Sequence, residues 1–256
     1  PAMASLAGAR YLLTQMTMSI YYALATVGLC LLMGYAGQIS MGHAGFMAIG
    51  GYTSSVLTTC NLIGHAQMPA FSLLERSGVL FRTVSADGVS PAVCVAPWAA
   101  FLAAIILTIA IALLIGMPVL RLKGHYLAMA TMGFGIIVHR MVIGFRALGE
   151  ADGISGVPAF PVLPGAAISG VISDRLSNYL LAAAALVAGV WLLQNLVHSR
   201  AGRALRAIRG SEEAAEASGV DTDRYKLMTF VLSAVFAAAA GSFLAHYNGG
   251  IGPSEA

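Results

Sequence analysis

Residues 99–120 read AAFLAAIILTIAIALLIGMPVL, a run with no charged side chain. A helix rises about 1.5 Å per residue, so a run of this length crosses the ~30 Å hydrocarbon core of a bilayer. Every face of such a helix is apolar, which suits lipid and not water. The stretch predicts a transmembrane helix over 98–120 and sets the class of the whole protein. Five further runs have comparable length and polarity, over 11–34, 41–60, 126–145, 178–197 and 227–247. The expected fold is an all-α, polytopic transmembrane helix bundle of about six spans, with residues 1–256 forming one membrane domain.

The composition points the same way. Hydrophobic residues make up 58% of the chain and charged residues 10%, whereas a soluble domain carries about a quarter charged residues. Much of the surface must therefore face a lipid bilayer. A net charge of +3 is too small to suggest nucleic acid as a partner. The runs over 41–60 and 126–145 are richer in Gly, Ala, Ser and Thr than the others. Small residues allow close helix approach in lipid, so both spans are expected inside the bundle.

Orientation follows from lysine and arginine. Arg200, Arg203, Arg206, Arg209, Arg224 and Lys226 lie between the fifth and sixth spans, and Arg121 and Lys123 between the third and fourth. Six alternating spans put both clusters on one side, which is the cytoplasm by the positive-inside rule. The loops 61–97 and 146–177 then face outward, as does the N-terminus. The last span also ends outside, at NGGIGPSEA, and the chain is expected to be trimmed at both ends.

Three stretches carry more than hydropathy. The first, residues 34–52, reads GYAGQISMGHAGFMAIGGY and breaks two apolar runs with Gly37, Gln38, Ser40, Gly42, His43 and Gly45. Irregular backbone at membrane depth survives only where protein or a water-filled cavity satisfies it. Two readings stay open: these six residues line a translocation path, or their glycines turn a tight cytoplasmic hairpin. Ser40 is a candidate N-cap for the helix that follows. The second stretch, LRLKGHYLAMATMGFG over 120–135, places Arg121, Lys123 and His125 at an interface. His139 and Arg140 fall near the other end of that span, where snorkelling accounts for them.

The third stretch, residues 199–219, reads SRAGRALRAIRGSEEAAEASG and predicts two short helices. Arg203, Arg206 and Arg209 form a basic flank beside Leu205 and Ile208. Ser211 is a good N-cap, Glu212 and Glu213 suit a first turn, and Gly219 suits a left-handed stop. The positive-inside rule explains the arginines but not the capped acidic helix beside them.

GYAGQISMGHAGFMAIGGY, LRLKGHYLAMATMGFG, DGISGVP and GRALRAIRGSEEAAEASGVDTDRYK together resemble the permeases of branched-chain amino acid ABC importers, in the order that family has them. Urea importers use the same subunit type. The resemblance implies a multi-pass permease of the bacterial inner membrane, with no catalytic chemistry of its own. It implies a second homologous permease, two cytoplasmic ATPase subunits that bind ATP and Mg, and a periplasmic substrate-binding protein. Glu213-Ala214-Ala215 followed by Gly219 is similar to the core of the loop by which importer permeases grip their ATPases. Residues 199–225 are thus the expected coupling loop, with Arg203, Arg206, Glu212, Glu213, Ala214, Ala215 and Gly219 as its residues. The later Ile-x-Leu-Pro element of the general signature is absent at Thr229 and Phe230, and Ile136 stands where an acidic residue is expected. Further helices before Tyr11 and beyond Ala256 are also implied.

The implied cargo is leucine, isoleucine or valine, with urea or short amides as the alternative. An intramembrane serine hydrolase using Ser155 or Ser40 with His125, His139 or His43 is a distant rival, because no base is placed beside Gly153-Ile-Ser-Gly156. A passive channel would have no use for the capped helix. Cys30, Cys60 and Cys94 make no CxxC pair and no metal-ligand spacing. Cys30 is expected to be a buried apolar thiol. Cys60 and Cys94 could form a bridge at the outer face, though two unpaired thiols are the preferred reading.

Overall fold

The computed structural model describes residues 10–60, 80–84, 91–122, 124–163, 166–171 and 174–255. Lys123 and most of the 61–97 loop lie outside them. Helix α1 (Arg10–Cys30) runs directly into a π turn, Leu31–Tyr35. Helices α2 (His43–Thr59), α3 (Pro97–Val119), α4 (His125–Gly144) and α5 (Arg175–His198) follow. Two short helices, α6 (Arg200–Gly210) and α7 (Glu212–Ala217), precede the long α8 (Thr222–Asn248).

Five of these segments are long and apolar enough to cross a membrane: α1 with its π turn, α3, α4, α5 and α8. The chain is a multi-pass membrane protein with an all-α bundle. The remaining expected span, α2, has 17 residues and rises only about 25 Å. It sits at the centre of the bundle, between α8, α3, α4 and the strand Pro91–Val95, so its ends need not reach lipid.

Helices α2 and α8 run side by side as the core pair. A Cβ on Gly50 would lie 2.2 Å from Ala238 O, and one on Gly241 would lie 2.0 Å from Met47 O. The two backbones touch, which only glycine permits at these positions. Around them pack Phe46, Phe134, Phe230, Tyr21 and Leu244, all buried. The expectation that the fourth span lies inside is not met. Helix α4 exposes Tyr126, Met129, Met132, Ile136 and Ile137, and nothing stands within 4 Å of a Cβ built on Gly133 or Gly144. The Ala-rich run 235–245 makes α8 the thinner helix, and it takes the centre instead. Cys30 is likewise exposed on α1, not buried. Its apolar surroundings are the outer flank of the bundle.

Among the described residues, three short two-stranded ribbons decorate the end opposite α6 and α7. Strands β1 (Leu80–Val84) and β2 (Pro91–Val95) form a hairpin. Strand β3 (Ile154–Ser155) pairs with β6 (Gly250–Ile251), and β4 (Phe160–Leu163) with β5 (Ala166–Ile168). An aromatic cluster holds this end to the helices. Phe160 is buried against Trp98, Phe101, Phe243 and His246, while Trp98 Nε1 donates to Pro161 O at 2.6 Å. An indole with an apolar body and one polar bond suits a membrane interface.

Candidate functional site

The first functional stretch is a turn joined to a central helix. After the π turn, Ala36 N donates to Leu31 O at 3.3 Å and Gln38 N to Leu32 O at 3.2 Å. Between them Gly37 has φ +68°, a left-handed stop that glycine adopts without a Cβ clash. The chain then crosses to α4, where Met41 N donates to Thr131 Oγ1 at 3.1 Å. A Cβ at Gly42 would lie 2.0 Å from Thr131 O. That contact puts Gly42 at the N-cap of α2, and no side chain caps the helix. Ser40 is therefore not the cap; its hydroxyl lies 3.5 Å from His43 Nδ1.

Of the six residues marked along this stretch, Gln38, Ser40, Gly42, His43 and Gly45 are buried and Gly37 is exposed. Gly45 faces the Phe134 ring. His43 Nε2 lies 2.6 Å from Ser233 Oγ on α8. Both amide atoms of Gln38 are buried with no hydrogen-bond partner among the described residues. An unmet buried amide carries a free-energy cost of about 1–3 kcal/mol, and such groups mark places where water, ligand or another conformation completes the bonding.

The second stretch folds as its caps dictate. Ser199 Oγ accepts from Ala201 N at 3.1 Å to open α6, and Ser211 Oγ accepts from Ala214 N at 3.3 Å to open α7. Gly219 has φ +82°, and Val220 N closes the helix by donating to Ala215 O at 3.0 Å. Helix α6 buries Leu205 and Ile208 and leaves Arg203 and Arg206 exposed. Glu213, Ala214 and Gly219 also face out, whereas Ala215 is buried. Glu212 pairs with Lys226 at the base of α8, and Glu216 Oε1 accepts from Thr222 Oγ1 at 2.7 Å. These bonds lock α7 to α8 and leave a ridge of small and acidic side chains outward.

Sequence reasoning missed the partners on other helices. Thr131, Ser233, Ser54 and His246 are polar side chains within apolar helices, and that isolation was the available signal. His246 Nε2 lies 2.9 Å from Ser54 Oγ, and its Nδ1 lies 2.7 Å from Pro158 O. A carbonyl only accepts, so Nδ1 carries the proton and Nε2 accepts from the Ser54 hydroxyl. Ser155 lies in β3, exposed, with no histidine partner among the described residues. Cys30, Cys60 and Cys94 are all free.

A family model described as "Branched-chain amino acid transport system / permease component" matches residues 11–256. The chain is 31% identical to the high-affinity branched-chain amino acid transport system permease protein LivM of Escherichia coli strain K12, over 260 residues. It is 29% identical to the LivM protein of Salmonella typhimurium strain LT2, over 259 residues. Each match covers 93% of this chain and 53% of the relative, so the chain spans about half the length of these curated relatives. No solved structure matches it significantly. With the match running from the first span through the α2 turn, α6, α7 and α8, the chain belongs to the family of branched-chain amino acid transport system permease components.

Proposed function

We propose that this chain is the membrane-spanning permease of an ATP-driven importer that carries leucine, isoleucine and valine across a bacterial inner membrane. In this reading the end bearing α6, α7 and Arg121 is cytoplasmic. Two ATPase subunits, which bind ATP and Mg, dock on the outward ridge of α7, and a second homologous permease completes the pore. A periplasmic binding protein delivers substrate at the ribbon end. The observation that carries the reading is α7 itself: a capped helix locked to α8 through Glu212–Lys226 and Glu216–Thr222, yet presenting Glu213 and Ala214 to a partner. A helix braced in this way transmits force into a span, which a passive pore does not need.

The translocation route is assigned to the 37–45 segment, where Gln38, Ser40 and His43 bring polar groups into the bundle. The unmet Gln38 amide supports this, because the demand can be met when the site opens to water or substrate. Uptake of labelled leucine, isoleucine, valine and urea by cells with and without the operon tests the reading. Leucine, isoleucine and valine uptake lost on deletion and restored by complementation is the expected result. Loss of urea uptake alone would replace the substrate class, and no loss of either would remove the importer assignment.

A further inference from the structure

We propose that Arg209 is a positioning residue that couples the 199–219 segment to the turn at the end of α1, so that movement of α7 reaches the 37–45 segment directly. The inference rests on the importer reading above and names the part that transmits motion within it. The guanidinium of Arg209 donates from Nη1 to Gly34 O, across 175 positions of sequence. Its aliphatic stem lies over Gly37, where an added Cβ would sit 3.3 Å from Arg209 Cγ and 3.7 Å from its Cα.

The carbonyl of Gly34 belongs to the last turn of a helix, whose final carbonyls lack intrahelical partners. Most helices close this end locally. Here one half of the closure is local, with Gly37 in the left-handed region and Gln38 N on Leu32 O. The other half comes from a different element. The turn is also a π segment, Leu31–Tyr35, a form that occurs mostly as single turns and is frequent at functional sites.

Arg209 differs from its neighbours in this respect. All three arginines are exposed, but Arg203 and Arg206 have no bonded partner among the described residues, whereas Arg209 bonds Gly34 O. A positive-inside role requires only charge near the interface, which those residues supply without any fixed contact. Arg209 instead makes a specific contact, with its stem packed over Gly37. Leu205, one turn earlier on α6, is buried with Leu31, Ala36, Leu193 and Val197. Helix α6 is therefore seated on the α1 turn by an apolar patch and pinned there by Arg209, while α7, its immediate neighbour, is locked to α8. The loop holds both sides of the 37–45 segment: α1's end through Arg209, and α8, which carries Ser233 to His43.

The test uses the assembled transporter in proteoliposomes, comparing wild type with Arg209→Gln and Arg209→Lys. Three quantities are read: ATPase subunits retained on purification, ATP hydrolysis rate, and leucine imported per ATP hydrolysed. A cysteine at Ile39, an exposed position on the turn, reports nucleotide-dependent labelling by an aqueous thiol reagent in the same backgrounds. Arg209→Gln is expected to retain its ATPases and hydrolyse within twofold of wild type, with leucine per ATP falling at least tenfold. The nucleotide-dependent change at Ile39→Cys should vanish in that variant. Arg209→Lys, which keeps the stem and one charged donor, should recover part of both. An unchanged leucine-to-ATP ratio, or an unchanged labelling response, overturns the proposal. Loss of ATPase retention overturns it as well, by making Arg209 a docking or folding residue. If the wild-type assembly itself neither holds ATPases nor imports leucine, the importer reading falls and the proposal with it.

Discussion

His43 on α2 meets Ser233 on α8 at 2.6 Å, and the same two helices are joined again towards the ribbon end by Ser54 and His246 at 2.9 Å. The pairs are reciprocal, each helix supplying one serine and one histidine. Between them the backbones touch at Gly50 and Gly241. The central pair is thus pinned at two depths by polar bonds and closed between them by the absence of side chains. In lipid, where apolar surface gains nothing by leaving the solvent, such packing and bonding hold helices together.

Ser233→Ala leaves one nitrogen of a buried histidine without its partner. The expected loss is about 1–2 kcal/mol, read as a lower unfolding midpoint in detergent or nanodiscs. Ser54→Ala should cost a similar amount. A cycle of Ser233→Ala with His43→Ala should show a coupling energy of about 0.5–1.5 kcal/mol, and additivity would show that the two side chains do not interact.

Gly241→Ala should be far more damaging than Gly133→Ala. The new methyl at 241 would stand 2.0 Å from a carbonyl oxygen on α2, while the one at 133 meets nothing within 4 Å. Separating the core helices to admit it exceeds the 1–3 kcal/mol or so typical of overpacking. Membrane yield and thermal midpoint check this: Gly241→Ala poorly folded, Gly133→Ala equal to wild type.

Glu212 and Glu213 are neighbours in sequence with opposite expected phenotypes. Glu212 neutralises Lys226, which is 6% exposed, so Glu212→Ala strands a buried ammonium and should cost on the order of 2–3 kcal/mol. Glu213 points outward, and Glu213→Arg should change stability by no more than about 0.5 kcal/mol while abolishing uptake and ATPase retention. Normal uptake by a well-expressed Glu213→Arg protein would remove α7 from the docking role.

The three thiols should separate by reagent. Cys60 is exposed and Cys94 buried; burial, with Cys60 nearby as a lesser cause, pushes the Cys94 thiol above its ordinary range. The thiolate is the reactive form, so a raised pKa means less of it at any given pH. In folded protein a membrane-impermeant maleimide should label Cys60 first, with Cys94 gaining reactivity only above the pH where an ordinary thiol ionises, about 8.5. Denatured, unreduced protein should yield three reactive thiols, and a count of one would mean that Cys60 and Cys94 are bridged.

Chain-local chemistry was legible in the amino-acid sequence. The uncharged run over 99–120 becomes α3, and Ser211 and Gly219 cap and stop α7 because hydrogen bonding over three or four residues depends on little else. Polar side chains inside apolar runs marked the 34–52 stretch as a break; the break is confined to its first half, the end of the π turn and the Gly37 turn, and from His43 onward the stretch is helix α2. What lies across the bundle was not legible. Composition ranks α2 and α4 alike as small-residue helices, yet α2 is central and α4 peripheral, because which helix fills the centre depends on the shapes of all its competitors. Ser40 has the chemistry of a cap, but contact between Gly42 and the α4 backbone moves the helix start beyond it. The partners of His43, His246 and Arg209 lie on other segments, and a single sequence carries no distance information between such positions. Tertiary packing alone decided that Arg209, one of several similar arginines, is the one that reaches the end of α1.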